Sequence, residues 1–366
     1  MEDRKIRVAI THGDTNGIGY ELIFKTFAEP EILELCTPII YGSPKVAAYH
    51  RKALDIPANF SIISKAEEAK DGRVNMLTTF DEEVKVDLGT PTPEAGTAAV
   101  KALDKAMGDF RAGLFDVLVT APVNNDSIQD FNSQTDYLEN SIGQGQKTLT
   151  ILLNDNIRVG FATNNLPIKE VAQSITKEMI IEKATIFFNC IKRDFNISNP
   201  RIAILSLNPT TNGNGKEEQE IIKPAINELS DAGVNAFGPF QADNIFGKCI
   251  YDSFDGVLAM YHDQGKAPFM ALDPTDGVNY LAGLPIICTA PCDGPSFDIA
   301  GKGVADEMSF RHAIYLAIDI FRNRQNYDEP LANPLKKLYH ERRDESEKVR
   351  FSIPKKHENS IQEKQE

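Results

Sequence analysis

His262 and Asp263 stand in the run Met260-Tyr261-His262-Asp263-Gln264-Gly265, directly after the apolar stretch Gly256-Val257-Leu258-Ala259. A buried strand that ends in an imidazole, a carboxylate and an amide is where an α/β sheet places its chemistry. The imidazole could move a proton or donate to a metal ion; it could equally be a hydrogen-bonded histidine at a strand end. Cys288 and Cys292 could be nucleophiles, but neither has a histidine beside it in sequence, and a small packed thiol is the better reading. No Gly-x-Ser-x-Gly elbow and no His-Glu-x-x-His helix occurs. Asp14 with Glu21, or Asp263 with Asp298, could form acid/base pairs, though capping a turn or facing water explains such carboxylates more simply.

Two glycine-rich stretches are the places to look for a phosphate-bearing cofactor. Gly13-Asp14-Thr15-Asn16-Gly17-Ile18-Gly19 has the wrong spacing for a dinucleotide fingerprint, and no P-loop lysine follows it. It reads as a tight strand-to-helix turn that needs positive φ. The second is Asp293-Gly294-Pro295-Ser296-Phe297-Asp298-Ile299-Ala300-Gly301-Lys302-Gly303. There Pro295 removes a backbone donor, and the Asp293 charge would repel a nearby phosphate.

Apolar runs that alternate with helical patterns must position these residues. Strands are predicted near Arg7 to Thr11, Pro38 to Tyr41, Asp116 to Thr120, Thr148 to Leu153, Arg158 to Ala162, Arg201 to Leu207 and Gly256 to Met260. Helices are predicted near Tyr20 to Phe27, Pro44 to Ala53, Pro93 to Ala112, Glu178 to Phe195, Glu217 to Ala232 and Ser309 to Arg324. In the third of these, Thr92 can cap, Pro93 suits the first turn and Gly113 the stop, while Val100, Leu103, Met107 and Phe110 should pack inward. Such alternation means βαβ units and a mainly parallel sheet covered on both faces. The pattern breaks around Asn124 to Asn140 and again around Leu272 to Tyr280.

With 366 residues the chain can build two lobes, and 42% hydrophobic with 25% charged residues is ordinary for a soluble globular protein. A net charge of −14 argues against a nucleic-acid backbone as partner, though not against an anionic small molecule. No apolar run approaches a membrane span, the N-terminus does not read as a secretory signal, and five cysteines without zinc-ribbon spacing suit a reducing cytoplasm.

Thr11-His12-Gly13-Asp14-Thr15-Asn16-Gly17-Ile18-Gly19-Tyr20-Glu21, the His262 run and Asp298-Ile299-Ala300-Gly301-Lys302-Gly303 together make the chain resemble the 4-hydroxythreonine-4-phosphate dehydrogenase family, from about Arg7 to Arg324. The resemblance implies an α/β isocitrate/isopropylmalate dehydrogenase-like fold, two α/β/α lobes with a central cleft. Residues 1–130 plus 284–325 would form the first lobe with the cofactor loop. Residues 131–283 would form the second, with the metal and substrate positions and the dimer contact, and 326–366 a polar, partly disordered tail. It also implies NAD or NADP, a divalent metal, a small-molecule substrate, a role in vitamin B6 synthesis, and a homodimer whose active sites take residues from both subunits. The family reaction passes hydride from a secondary alcohol to NAD(P)+, and the 3-oxo acid formed then loses CO2.

Carried over residue by residue, the resemblance makes His262 the metal-binding and catalytic histidine, with Asp243 as a second polar catalytic group. The family's other two metal histidines fall on Asn165, in Thr163-Asn164-Asn165-Leu166-Pro167, and on Thr210, in Asn208-Pro209-Thr210. Asparagine and threonine offer neutral oxygens, poor ligands for zinc. The substrate-binding positions are Gln134, Thr135, Asn279, Met270 and Cys288; the family has histidine at the first, lysine at Met270 and arginine at Cys288. Replacing both cations weakens the case for a phosphate ester, although Lys266, four residues before Met270, could compensate. The cofactor loop brings Asp293, Gly294, Asp298 and Gly301; Asp293 stands where related loops have histidine. A divergent enzyme on another hydroxy acid, and a non-catalytic relative that binds a ligand in the cleft, are the alternative readings.

Overall fold

Val8, Ala9 and Ile10 are fully buried because their strand, β1 (Ile6–Thr11), runs through the interior of a sheet covered on both faces. The computed structural model describes residues 4–80, 83–128, 133–143, 145–209, 215–273 and 275–334. Among these the sheet has twelve strands: β1, β2 (Cys36–Gly42), β3 (Ser61–Ile63), β4 (Asn75–Thr78), β5 (Val117–Thr120), β6 (Leu149–Leu153), β7 (Arg158–Phe161), β8 (Ile202–Leu205), β9 (Ala236–Phe240), β10 (Gly256–Ala259), β11 (Val278–Ala282) and β12 (Ile287–Pro291). Their order is β3-β4-β2-β1-β5-β12-β11-β6-β7-β10-β8-β9. Both outer stretches are parallel, as the βαβ pattern predicts, and the middle is not: β12, β11, β6 and β7 pair antiparallel in succession.

Period-two alternation divides the core. Val8 and Ile10, Ile151 and Leu153, Leu258 and Met260 point into one apolar layer that runs the length of the sheet. Ala9, Leu118, Leu281 and Cys288 point the other way, into a second group, and Leu152, Val159, Phe161 and Ala259 into a third. One face is therefore continuous while the other is split at the antiparallel middle.

The predicted helix from Pro93 runs Pro93–Arg111, with Thr92 Oγ1 accepting from the Ala95 N–H at 3.2 Å. Leu103 and Met107 are buried, with Val100 and Phe110 packed partly buried beside them, and Gly113 takes φ +69° at the stop. Three expectations need correction. The polar stretch near Asn124 to Asn140 contains a helix, Gln134–Ile142, started by Ser133 Oγ accepting from the Asp136 N–H. The break near Leu272 to Tyr280 ends in β11, whose Asn279 interrupts an apolar run without leaving the ladder. The last helix, Met308–Ala332, passes well beyond Arg324. Described residues up to Tyr327 form one compact unit, Asp328 to Pro334 belong to a second, and the remainder of the expected polar tail lies outside the described residues.

Candidate active site

The split face of the sheet holds a cavity of about 240 Å³. Its walls come from the end of β5 (Thr120 to Pro122), the start of the Gln134–Ile142 helix, Thr150 on β6, Phe161, Asn164 and Asn165 at the end of β7, the His262–Leu272 helix, and β11 and β12. Gln134, Thr135, Asn165, His262, Asn279, Cys288 and Asp293, seven of the sequence-derived positions, line this one space. Asp243, Met270, Gly294, Asp298 and Gly301 are outside its lining, and Thr210 lies outside the described residues.

β10 delivers His262. Its last residue is Ala259, and the chain turns through Met260 and Tyr261 into a helix whose first residue is His262. Gln264 fastens that turn: its Oε1 accepts from the Met260 N–H at 2.8 Å and its Nε2 donates to the Ser206 carbonyl at 2.7 Å. Gly265 lets the helix lie on β7, because a Cβ there would stand 2.7 Å from Val159 Cγ1. The helix continues through Pro268, which leaves one helical hydrogen bond unmade. The His262 side chain keeps 37% exposure and rests against Phe161, ring centroids 5.6 Å apart, with Nδ1 3.4 Å from Asp263 Oδ1. That contact is long, so the imidazole keeps its hydrogen-bonding capacity for whatever enters the cavity.

Opposite stand amide, hydroxyl and thiol groups. Asn279 Nδ2 donates to the Pro291 carbonyl at 3.0 Å across the β11–β12 pair. The Gln134 N–H donates to Asn125 Oδ1 at 3.3 Å. Cys288 is buried, and burial pushes its thiol up to about 12, so it remains a neutral packed group as the sequence suggests. Burial also raises the Asp293 carboxyl, Asp306 adds to the effect, and Lys266 opposes it. Met270, on the His262–Leu272 helix, packs against the third apolar group instead. Asp243 is exposed, and its Oδ1 accepts from the neighbouring Asn244 N–H at 2.9 Å.

The two glycine stretches meet. Gly13 takes φ +73°, the left-handed conformation the turn needs. The Ile18 N–H donates to the Pro295 carbonyl at 3.1 Å, and a Cβ on Gly17 would lie 2.8 Å from that oxygen. Asn16 braces a further segment, donating to Thr90 O and Thr92 Oγ1 and accepting from the Asp87 N–H. Glu21, one of the possible acid/base partners, instead accepts from the Ala305 N–H at 2.8 Å and pairs with Lys25 at 2.9 Å. Asp263 and Asp298 are both exposed. Sequence reasoning missed this bracing role, because its bonds join residues about 70 to 280 positions apart. It also missed Ser133, Thr150 and Asn164 as lining residues; an Asn164-Asn165 pair directly after a strand was the available signal.

The donor set does not fit a divalent transition metal. His262 is the one imidazole lining the cavity among the described residues, Asn165 adds only a neutral amide oxygen, and no group of three His, Cys, Asp or Glu side chains there is arranged to hold an ion.

A family described as "Pyridoxal phosphate biosynthetic protein PdxA" matches residues 34–317. A 4-hydroxythreonine-4-phosphate dehydrogenase of Bacteroides thetaiotaomicron is 54% identical over 358 residues, 96% of this chain and 98% of that protein. One from Sulfurihydrogenibium is 35% identical over 87% of this chain and all of its own length. The crystal structure of the Klebsiella pneumoniae 4-hydroxythreonine-4-phosphate dehydrogenase superposes with a TM-score of 0.74 at 27% identity, covering 87% of this chain and 100% of that one. That structure and its relatives share the isocitrate dehydrogenase-like fold, to which this twelve-stranded α/β architecture conforms. With the family match spanning most of the chain and so close a relative covering nearly all of it, the chain belongs to the PdxA family of pyridoxal phosphate biosynthetic proteins.

Proposed function

We propose that the chain is an NAD(P)-dependent dehydrogenase that oxidises the secondary alcohol of 4-hydroxythreonine 4-phosphate, with decarboxylation of the 3-oxo acid that results. The observation that carries this reading is the convergence of His262, Gln134, Thr135 and Asn279 with Asp293 of the glycine loop in a single cavity. In this arrangement His262 is the imidazole placed to take the hydroxyl proton as the carbinol is oxidised. Gln134, Thr135 and Asn279 offer neutral polar contacts that hold the substrate in register with it. A nicotinamide, when bound, supplies the hydride acceptor. Asp293, Gly294, Asp298 and Gly301 are the residues that would hold the rest of that cofactor. Gly294 suits the role: it is exposed and a Cβ on it would meet nothing within 4 Å, so the backbone is open to close approach. The metal of the family has no matching donor set here, and no step is assigned to it.

Further features follow from the same reading. The split of one apolar face at the antiparallel strands supports two lobes, residues 1–130 with 284–325 and residues 131–283. A homodimer, as the family resemblance implies, is the assembly expected in solution. All five cysteines are free, which suits the cytoplasm, and among the described residues no helix is long and apolar enough to cross a membrane.

A turnover screen tests the function. Purified protein is given NAD+ or NADP+ with 4-hydroxythreonine 4-phosphate, with its unphosphorylated counterpart, and with other hydroxy acids. Reduced nicotinamide from the phosphorylated substrate is the expected result. Turnover of another hydroxy acid alone would move the chain to a different substrate, and binding without any turnover would make it a non-catalytic relative.

A further inference from the structure

Lys266 is the one Lys or Arg among the described residues that line the cavity. It sits four positions after His262 on the His262–Leu272 helix, so the two side chains share a face, about 5–6 Å apart at their bases. Its side chain is half-buried and makes no hydrogen bond or ion pair within the described structure. Lys183, in the adjoining cavity, is different: its ammonium donates to the Thr148 carbonyl and has Glu139 and Glu182 nearby. The Lys266 ammonium faces a polar cavity with no hydrogen bond to hold it, and the Asp293 carboxyl of the same lining is the charge nearest to it in effect, so its donors stay available to an anion that enters.

We propose that Lys266 grips the phosphate of the substrate, supplying from a new position the positive charge lost at Met270 and Cys288. This rests on the dehydrogenase reading above. In that substrate the phosphate ester is carried on the carbon next to the oxidised carbinol. The group that binds phosphate must therefore stand close to the base, and one helical turn from His262 meets that requirement. The helix contributes in the same sense, since its N-terminus, at His262, opens toward the cavity and favours negative charge. Asp293, the one carboxylate in the lining, is raised by burial and by Asp306, so it opposes an anion less than an ordinary aspartate would.

The test compares wild type, Lys266→Met and Lys266→Arg. KM is measured for the phosphorylated and unphosphorylated substrates, and binding of inorganic phosphate by calorimetry. Lys266→Met is expected to raise KM for the phosphorylated substrate roughly ten- to a hundred-fold, the range of one charge-assisted hydrogen bond, and to weaken phosphate binding in parallel. KM for the unphosphorylated compound should change by no more than about twofold on the same scale. Lys266→Arg should recover most of the loss. An unchanged unfolding midpoint in Lys266→Met confirms that the fold is intact. Unaltered KM and unaltered phosphate binding in Lys266→Met would overturn the proposal and leave the dehydrogenase reading standing. Absence of wild-type turnover would overturn that reading instead, while the phosphate calorimetry still decides the role of Lys266.

Discussion

His12 shows what one buried ring costs this fold. It has no exposed surface, stacks on Tyr20 at 5.4 Å, and neither ring nitrogen makes a well-formed hydrogen bond. Burial first, and then His50, push its pKa down to about 4, with the Ala98 and Gly13 backbone in partial opposition. Because the folded value lies below the unfolded one, the unfolded chain binds the extra proton between those values, and stability falls as pH drops through that window. The expected loss from this residue is about 2 kcal/mol between about pH 7 and pH 5. Denaturant titrations of wild type and His12→Phe should show the pH dependence shrinking by about that amount, and identical slopes would show that His12 does not carry it. Metal content is a second check at this scale. With Asn165 in place of a histidine, protein purified without added metal should hold far less than one zinc per chain. Near-stoichiometric zinc that disappears in His262→Ala would mean that the ligands include residues outside those described. Positions were legible where a family motif could be carried over, as for His262, Gln134 and Asn279, which line one cavity. They were not legible for Gln264 or Asn16, whose partners Ser206, Thr90 and Thr92 are distant in sequence and brought near only by folding.

Among the elements, the last helix is fastened by charge as well as by apolar packing. Arg324 Nε donates to Asp194 Oδ1 at 2.7 Å, an ion pair with side-chain exposures of 10% and 3%. Tyr280 on β11 completes the knot, its hydroxyl donating to Asp194 at 2.6 Å and accepting from Arg324 at 2.9 Å. Cutting one side of a buried pair strands the other charge, so Arg324→Leu should destabilise the protein by about 3–5 kcal/mol. A calorimetric loss below about 1 kcal/mol would show that the site relaxes to admit water. Tyr280 and its neighbour Asn279 both line the cavity, so loosening this knot should also raise KM. Thr92→Ala, by contrast, removes one helix cap and should lower stability by only about 1 kcal/mol. The parallel strands β1, β2, β5, β8 and β10 and several of the longer helices could be read from hydrophobic period alone, whereas the short parallel strands β3 and β4 were not predicted. β9 could not, because Gly238 and Pro239 mark it as a turn; at the sheet edge a proline needs no partner. β11 and β12 were hidden because an antiparallel insertion has no connecting helix to announce it. The Gln134–Ile142 helix was missed because its polar residues resemble a loop.

For the whole molecule, the single-sided split of the core accompanies the cavity, and the catalytic reading depends on the residues gathered there. A dimer is expected at micromolar concentration; light scattering that reports monomer alone would overturn that expectation. The resemblance gave the architecture and seven of the cavity positions from residue patterns, but the relation of Lys266 to His262 needed the helix to be seen continuing through Pro268. The central claim is that this cavity oxidises its substrate with His262 as the base. Its most direct measurement is the steady-state formation of reduced nicotinamide from 4-hydroxythreonine 4-phosphate by wild type and by His262→Asn. Turnover by wild type and a fall in kcat of about a hundredfold or more in the variant is the expected result. Equal kcat in the two proteins, or no turnover by wild type with either NAD+ or NADP+, would contradict it.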